Sequence, residues 1–221
     1  MTPETLAGFC VGWTETLVGY PFLTTKVLIQ NKQAWWGLPF KRYYRGVKFP
    51  LVSSIGFNSL VFPLKDYLHN QHKMSYTTAG CLAGIAVSPQ MYFIDTFIIR
   101  SQTKQAVSFE MFRGSKGFGI TILRESVALS AYFGSYHKCR ETQNPFISGA
   151  AAGLFNWTVS YPIDTLRCRQ IAQRCTIKNA LAQGRLWNGF GVTAMRAMIV
   201  NACGFTVYES MCSILKWISQ F

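Results

Sequence analysis

Three equivalent positions in the chain carry side chains suited to holding a small charged molecule. Ser53, Arg124 and Arg196 each lie seven residues after a glycine (Gly46, Gly117 and Gly189), and Glu125 follows Arg124 directly. A guanidinium at Arg124 or Arg196 can grip a carboxylate through parallel N–H donors, and the Glu125 carboxylate can hold an ammonium or quaternary amine. The set suits a ligand bearing both charges. Nothing in the chain suits catalysis as well: there is no Ser/His/Asp grouping in a plausible context and no phosphate-cradling glycine loop. The three histidines, at 69, 72 and 137, fall near predicted helix ends, where a solvated role is the ordinary one. Seven cysteines (10, 81, 139, 168, 175, 203 and 212) lack CxxC spacing and lie mostly in apolar runs. Buried free thiols are therefore expected, with no disulfide framework, no metal site, no cofactor and no enzymatic activity.

The three positions are equivalent because the segments carrying them repeat. Paired glycines spaced for close helix packing, Gly8 with Gly12, Gly80 with Gly84 and Gly149 with Gly153, start 72 and 69 residues apart. Nine residues after the second glycine, each copy reaches one local pattern: Pro21 in PFLTTKVLIQ, Phe93 in FIDTFIIRSQ and Pro162 in PIDTLRCRQI. A glycine after a basic or polar residue (Arg45-Gly46, Lys116-Gly117, Asn188-Gly189) opens the second hydrophobic segment of each copy. Tyr136 and Tyr208 stand nineteen residues beyond Gly117 and Gly189, a helix of about 28 Å, the thickness of a bilayer core. In the first copy that offset lands on Lys65, with Asp66 following.

The pattern predicts helices over 5–32, 47–69, 76–103, 118–140, 146–173 and 190–217, grouped as repeats 1–72, 73–142 and 143–221 of a single domain. The expected fold is an all-α membrane protein with six transmembrane helices in three tandem two-helix repeats of pseudo-threefold symmetry. Pro21 and Pro162 are expected to kink their helices, the freed carbonyls being satisfied by neighbours or water. Ser53, Arg124 and Arg196 then lie about 10 Å into their helices. A basic residue at such depth costs about 2.5–3.5 kcal/mol on insertion scales, which favours a functional role facing a wet cavity. Structural ion pairing or snorkelling is the alternative for Arg124 and Arg196.

Composition agrees with a membrane protein. Hydrophobic residues make up 49% of the chain and charged residues only 14%, against about a quarter in a soluble protein. No window holds 20 uninterrupted apolar residues, because Gly, Ser, Thr and occasional charges punctuate each stretch, as expected of helices lining a polar cavity. The net charge of +13 is unevenly placed: segments 31–46, 100–117 and 169–188 hold twelve basic residues, and the connections 65–75 and 137–145 hold four. This asymmetry is that of a membrane protein with basic loops on one side. No RNP, KH or zinc-finger pattern supports a nucleic-acid partner. Trp35, Trp36, Tyr43, Tyr44 and Trp187 fall in or beside the basic connections, where interfacial aromatic belts sit. The N-terminus carries neither a signal-peptide pattern nor an Arg-rich presequence, so targeting information is expected to be internal.

On these residues the chain resembles the mitochondrial carrier family, whose odd helices carry P-x-[DE]-x-x-[KR]-x-[KR]-x-Q and whose even helices end in [FY]-[DE]-x-x-[KR]. YPIDTLRCR in the third repeat fits every defined position it spans. The resemblance implies a monomeric, multi-pass, alternating-access exchanger of the mitochondrial inner membrane, with bilayer lipid, cardiolipin included, as a partner. It also implies a central substrate site closed by ion-pair networks on the matrix and cytoplasmic sides. In that scheme each repeat's acidic residue pairs with the next repeat's basic residue, giving Asp95 with Arg167, Asp164 with Lys26, and Leu23 with Ile98. Both members of the last pair are apolar together. Losing one member of a buried pair costs about 3–5 kcal/mol, whereas replacing both with packed hydrophobes can be neutral. Gln30 and Gln102 occupy the glutamine position that braces the matrix pairs, and Ile171 occupies it in the third repeat.

For the cytoplasmic network the resemblance implies Asp66 with Arg140, Glu209 with His69, and His137 with Cys212, Lys65 standing where an aromatic is usual. Two charged pairs per network imply a lower barrier to opening than three. ILRESVALSAYFGSY and MRAMIVNACGFTVYE are similar to the fourth and sixth helices of ornithine and carnitine carriers, with Ile199 in place of a usual proline. The implied substrate is a small zwitterionic or cationic metabolite, such as a basic amino acid, carnitine or an acylcarnitine. The competing expectation is a degenerate carrier that no longer transports and serves as a membrane scaffold.

Overall fold

The computed structural model describes residues 3–106, 112, 116–200 and 203, and within these the side chains other than those of 3–12, 52–60, 62, 63, 145 and 146. The described residues are helical, with no strand among them. The helices are α1 (Pro3–Gln30), α2 (Phe40–Tyr43), α3 (Lys48–His72), α4 (Tyr76–Gln102), α5 (Phe118–Arg140), α6 (Pro145–Gln173), α7 (Ile177–Ala182) and α8 (Phe190–Val200). The long helices fall within a few residues of their predicted bounds, and residues 204–217 of the last predicted helix lie outside the described residues. The short helices α2 and α7 were not expected. Both lie in the basic connections, and α7 is capped by the Thr176 hydroxyl, which accepts from the Asn179 N–H.

Helix starts follow local chemistry. Ser75 caps α4 by accepting from Thr78 N–H, and Asn144 caps α6 by accepting from Ile147 N–H with Pro145 at its first turn. Gly46, Gly117 and Gly189, the landmarks that open the second segments, have φ of +89°, +96° and +86°, a conformation in which a side chain is strained. Beside each, a tyrosine hydroxyl donates to the carbonyl of the preceding residue: Tyr20 to Arg45 at 3.0 Å, Tyr92 to Lys116 at 3.1 Å and Tyr161 to Asn188 at 3.0 Å. One contact therefore recurs at offsets of 72 and 69 residues and ties each connection to the long helix before it.

Among the described residues, the most extensive helix packing is of α4 on α5 and of α5 on α6. Between α4 and α5 the approach needs glycine, since a Cβ on Gly84 would come within 2.5 Å of the Glu125 carbonyl oxygen and one on Gly80 within 2.6 Å of that of Leu129. One apolar core joins α1, α4 and α6 through Val27, Tyr92, Ile99, Cys168 and Ile171. A second joins α3, α4 and α5 through Val61, Ala83, Val87, Leu129 and Phe133. Among the described residues, α4 is long and apolar enough to cross a bilayer by length and composition, and α8 is a shorter apolar helix. The other long helices carry polar and charged side chains inside the bundle, including buried Lys26, Glu125, Asp164 and Arg167, and these lower their mean hydropathy.

Candidate functional site

Six charged side chains meet where α1, α4, α5 and α6 converge. Lys26 Nζ lies 2.6 Å from Asp164 Oδ2, and Arg167 Nη1 lies 2.6 Å from Asp95 Oδ2. These are the two charged pairs expected for one network. At the position of the third, Ile98 is buried and Leu23 half-buried. One residue beyond Leu23, the Thr24 hydroxyl accepts from Gln102 Nε2 at 3.1 Å, so a neutral hydrogen bond links α4 to α1 there. Gln30 Nε2 donates to Asp164 Oδ2 at 3.3 Å and to the Thr165 hydroxyl at 3.1 Å, bracing the Lys26–Asp164 pair. Ile171, which has no polar atom to offer, packs in the apolar core instead.

Arg124 and Glu125 are not a separate layer. Glu125 Oε1 accepts from Arg124 Nη1 at 2.6 Å and from Arg167 Nη1 at 3.1 Å. Asp164 Oδ1 accepts from Arg167 Nη2 at 2.9 Å and lies 3.7 Å from Arg124 Nε. Asp164, Arg167, Glu125 and Arg124 thus close a ring, with Lys26 and Asp95 as its arms. The Glu125 side chain is 2% exposed and that of Arg124 14%, so the acid expected to face an open cavity is shielded and paired. Burial in a low-dielectric interior is tolerable only because three cations meet three carboxylates.

Trp157 of α6 adds an aromatic face. Its ring centroid lies 4.8 Å from Lys26 Nζ and 5.5 Å from Arg124 Cζ, distances at which the ring quadrupole attracts a cation. In the sequence it stands seven residues before Asp164, on the same helical stripe. Arg169 is more than the loop-side base that its place in a basic connection suggests. Fully buried, it donates from Nε to the Gln30 carbonyl at 2.9 Å and from Nη1 to those of Ala180 at 3.0 Å and Gly184 at 2.8 Å. It therefore clamps the end of α1 to α7 and the turn after it.

The remaining expected site residues are spread more widely. Arg196 lies against α1, where a Cβ on Gly19 would come within 2.9 Å of its Nε, and that buried Nε has no hydrogen-bond partner among the described residues. No contact joins Arg196 to Arg124 among the described residues. The backbone of Ser53 is in α3, and its side chain lies outside the described residues.

At the opposite end, the expected pairing of Asp66 with Arg140 is not formed. Asp66 pairs with its neighbour Lys65, and Arg140 Nη1 donates to the Gln143 carbonyl at 3.1 Å. Both Asp66 and Arg140 are exposed, so local partners and water satisfy them at little cost. His69 Nδ1 contacts the Met74 carbonyl at 2.7 Å, and its expected partner Glu209, like Cys212, lies outside the described residues. His137 lies 3.7 Å from Glu141. The rings of His69 and His137 stack on Tyr76 at 3.8 and 4.0 Å.

With this geometry established, comparison with known proteins is informative. A family model for mitochondrial carrier proteins matches residues 141–218. The chain is 24% identical to the mitochondrial arginine transporter BAC2 of Arabidopsis thaliana, over 93% of this chain and 89% of that transporter. It is 25% identical to solute carrier family 25 member 45 of Mus musculus, over 93% and 96%. It is also 25% identical to the mitochondrial ornithine transporter 1 of Schizosaccharomyces pombe, over 86% and 81%.

Proposed function

We propose that the chain is a member of the mitochondrial carrier family, a family of transporters and not enzymes, and that it exchanges a small zwitterionic or cationic metabolite across the mitochondrial inner membrane. In this reading six helices span the bilayer as three repeats. The recurring tyrosine-to-carbonyl bonds before Gly46, Gly117 and Gly189 support that arrangement. Arg124 and Arg196, with Ser53 at the equivalent position, take the substrate carboxylate, and Glu125 takes its cationic nitrogen. Lys26, Asp95, Asp164 and Arg167, braced by Gln30, close the matrix side, with Gln102 tying α4 to α1 through Thr24. Asp66, Arg140, His69 and Glu209 serve the cytoplasmic side when the molecule turns over.

One observation carries the substrate class: an Arg–Glu pair inside the bundle, with acid and base on consecutive residues. A dicarboxylate would be repelled by Glu125, and a nucleotide would bring several negative charges beside it. Among the described residues the buried Nε atoms of Arg124 and Arg196 make no hydrogen bond, Arg124 Nε lying 3.7 Å from Asp164 Oδ1, which leaves donor capacity that a ligand carboxylate would use. Two of the relatives named above, an arginine and an ornithine transporter, handle molecules that carry both charges.

The test is counter-exchange of labelled ornithine, arginine, lysine, carnitine, ADP and malate in liposomes containing the purified chain. Exchange of one or more zwitterions, with ADP and malate inert, is expected. Robust ADP or malate exchange overturns the substrate class. No exchange of any solute favours a non-transporting scaffold, the reading to which the apolar Leu23, Ile98 and Ile171 at motif positions would then belong. Labelling of cysteines placed at 2 and 220 with an impermeant reagent tests the topology, and reaction from the same side is expected.

A further inference from the structure

We propose that Glu15 of α1 is a further substrate-holding residue, receiving the cationic nitrogen of a ligand whose carboxylate lies on Arg196 of α8. This rests on Arg196 being a substrate residue, as proposed above, and adds a second acid, on a helix otherwise given no part in holding the substrate.

The two arginines differ in how they are answered. Arg124 already has its acids: Glu125 accepts from it at 2.6 Å, and Asp164 Oδ1 lies 3.7 Å from its Nε. Among the described residues Arg196 forms no ion pair, and its buried Nε makes no hydrogen bond. It packs so closely on α1 that a Cβ on Gly19 would come within 2.9 Å of its Nε and 3.4 Å of its Nη2. Glu15 stands four residues before Gly19, one turn earlier on the same stripe of α1. Its charge acts on Arg196 without an ion pair between them. Acid and base thus face one another across a gap, and a ligand carrying both charges can bridge it.

The repeated fold does not require an acid at this position. Three residues after the second glycine of each pair stand Glu15, Val87 and Asn156. Val87 is fully buried in the apolar core of α3, α4 and α5, and Asn156 accepts from the Ser160 hydroxyl of its own helix. Neither carries a charge. Position 19 departs in the same copy: its equivalents, Met91 and Ser160, bear side chains, whereas glycine there leaves room for the Arg196 guanidinium. A carboxylate midway along a membrane helix is costly and marks either a buried pair or a functional site. With the direct pair not formed, the ligand supplies the missing contact. A simple anion on Arg196 would be repelled by Glu15, whereas a zwitterion satisfies both groups.

The test uses the full chain in liposomes and compares ornithine with pentanoate, the same carbon chain without its nitrogens. In Glu15→Gln the KM for ornithine exchange should rise about tenfold, as expected from losing a charge-assisted hydrogen bond, with the maximal rate nearly kept. Inhibition of that exchange by pentanoate should instead strengthen, because the repelling charge is gone. Glu15→Asp should retain part of the ornithine affinity. The opposite shifts separate a ligand contact from a structural one. An acid that only held Arg196 in place would, once removed, weaken ornithine and pentanoate together, and that result overturns the proposal.

An unchanged ornithine KM in Glu15→Gln, alongside a raised one in Glu125→Gln, overturns the role of Glu15 and leaves the substrate reading standing. The unfolding midpoint of the purified protein reads binding without transport. If the wild type exchanges no solute but is stabilised by ornithine, and Glu15→Gln is not, the binding role stands and the transport reading falls. Neither exchange nor stabilisation overturns both.

Discussion

The two ends of the helix bundle hold their charges in opposite ways. Where α1, α4, α5 and α6 meet, six charged groups share bonds with one another, and the Asp164 and Glu125 side chains are each only 2% exposed. Where α3, α4 and α5 meet at the other end, the charged groups other than Lys65, which lies over the Tyr76 and Phe133 rings, sit largely in water. Asp66 is 56% exposed, and His137 and Glu141 are 47% and 65% exposed. Aromatic rings rather than charges fill the space between, with Tyr76 held between His69 and His137. The lesson concerns reversibility. Buried charges hold only as a complete set, since a missing partner leaves another charge without water or a counter-ion, whereas exposed charges exchange partners at small cost. The first end is a lock, and the second is free to rearrange.

The contrast breaks most severely at Asp164. Its carboxylate takes Lys26, Arg167 and Gln30 and lies near Arg124, so Asp164→Ala leaves three cations facing two acids. A loss of about 3–5 kcal/mol is expected, read as a clear drop in the thermal unfolding midpoint of the purified protein and near-complete loss of exchange. Leu23→Ala should do far less. Exchanging the charges, with Asp164→Lys and Lys26→Asp together, should recover part of the activity that either single change removes. A double variant no better than the singles would mean that the pair contributes nothing of its own.

A smaller effect is expected at Arg169, which is buried at the same end but without a carboxylate. Arg169→Met keeps much of the volume yet leaves the carbonyls of Gln30, Ala180 and Gly184 without this donor. About 1–3 kcal/mol should be lost, and hydrogen exchange should increase first in α7 and at the end of α1. If protection changes equally throughout the chain, Arg169 is not the clamp that its contacts make it.

Smaller again are the three tyrosine hydroxyls. Tyr20→Phe, Tyr92→Phe and Tyr161→Phe each remove one hydrogen bond to a connection carbonyl, worth about 1 kcal/mol. Nearly equal drops in the unfolding midpoint are expected, because the three contacts share one geometry. One variant far out of line would show that the connections are held differently despite their matching distances.

Much of this was legible in the sequence, because helix bounds and repeat offsets depend on local signals: the paired glycines that start each copy and the glycines at 46, 117 and 189 that open its second segment. The pairs Asp95–Arg167 and Lys26–Asp164 were legible for a different reason, the pairing scheme that the resemblance to the carrier motif implies. What the sequence hid was depth. Offsets along each helix separated Arg124 and Glu125 from the network, yet arginine reaches far enough that Arg124 touches Glu125 and Asp164 at once. The role of Arg169 was hidden because it depends on α1 and α7, whose approach no local spacing records, whereas Trp157 carried a signal in its helical register with Asp164. Asp66 and Arg140, expected to pair, take other partners in the structure, since exposed side chains are not obliged to find each other.

That exposed pair gives the finest test of the contrast, and the smallest expected effect on stability. Asp66→Asn removes an ion pair with the adjacent Lys65 in which the acid is mostly in water, a change worth well under about 1 kcal/mol. The unfolding midpoint should therefore hardly move. Exchange is a different matter if this end closes during turnover, because Asp66 would then need Arg140, and an amide meets a guanidinium far less strongly than a carboxylate does. The expected signature is a lowered maximal exchange rate with unchanged stability and an unchanged order of substrate preference, the last because Arg124, Glu125 and Arg196 are untouched. Arg140→Gln should give the same signature, and the double variant should be little worse than either single one, since each alone already breaks the closing pair. If the two losses instead multiply, the residues act separately and the pairing is wrong. If neither variant slows exchange, this end does not close through Asp66 and Arg140, and the aromatic stack around Tyr76 becomes the place to look for its closure.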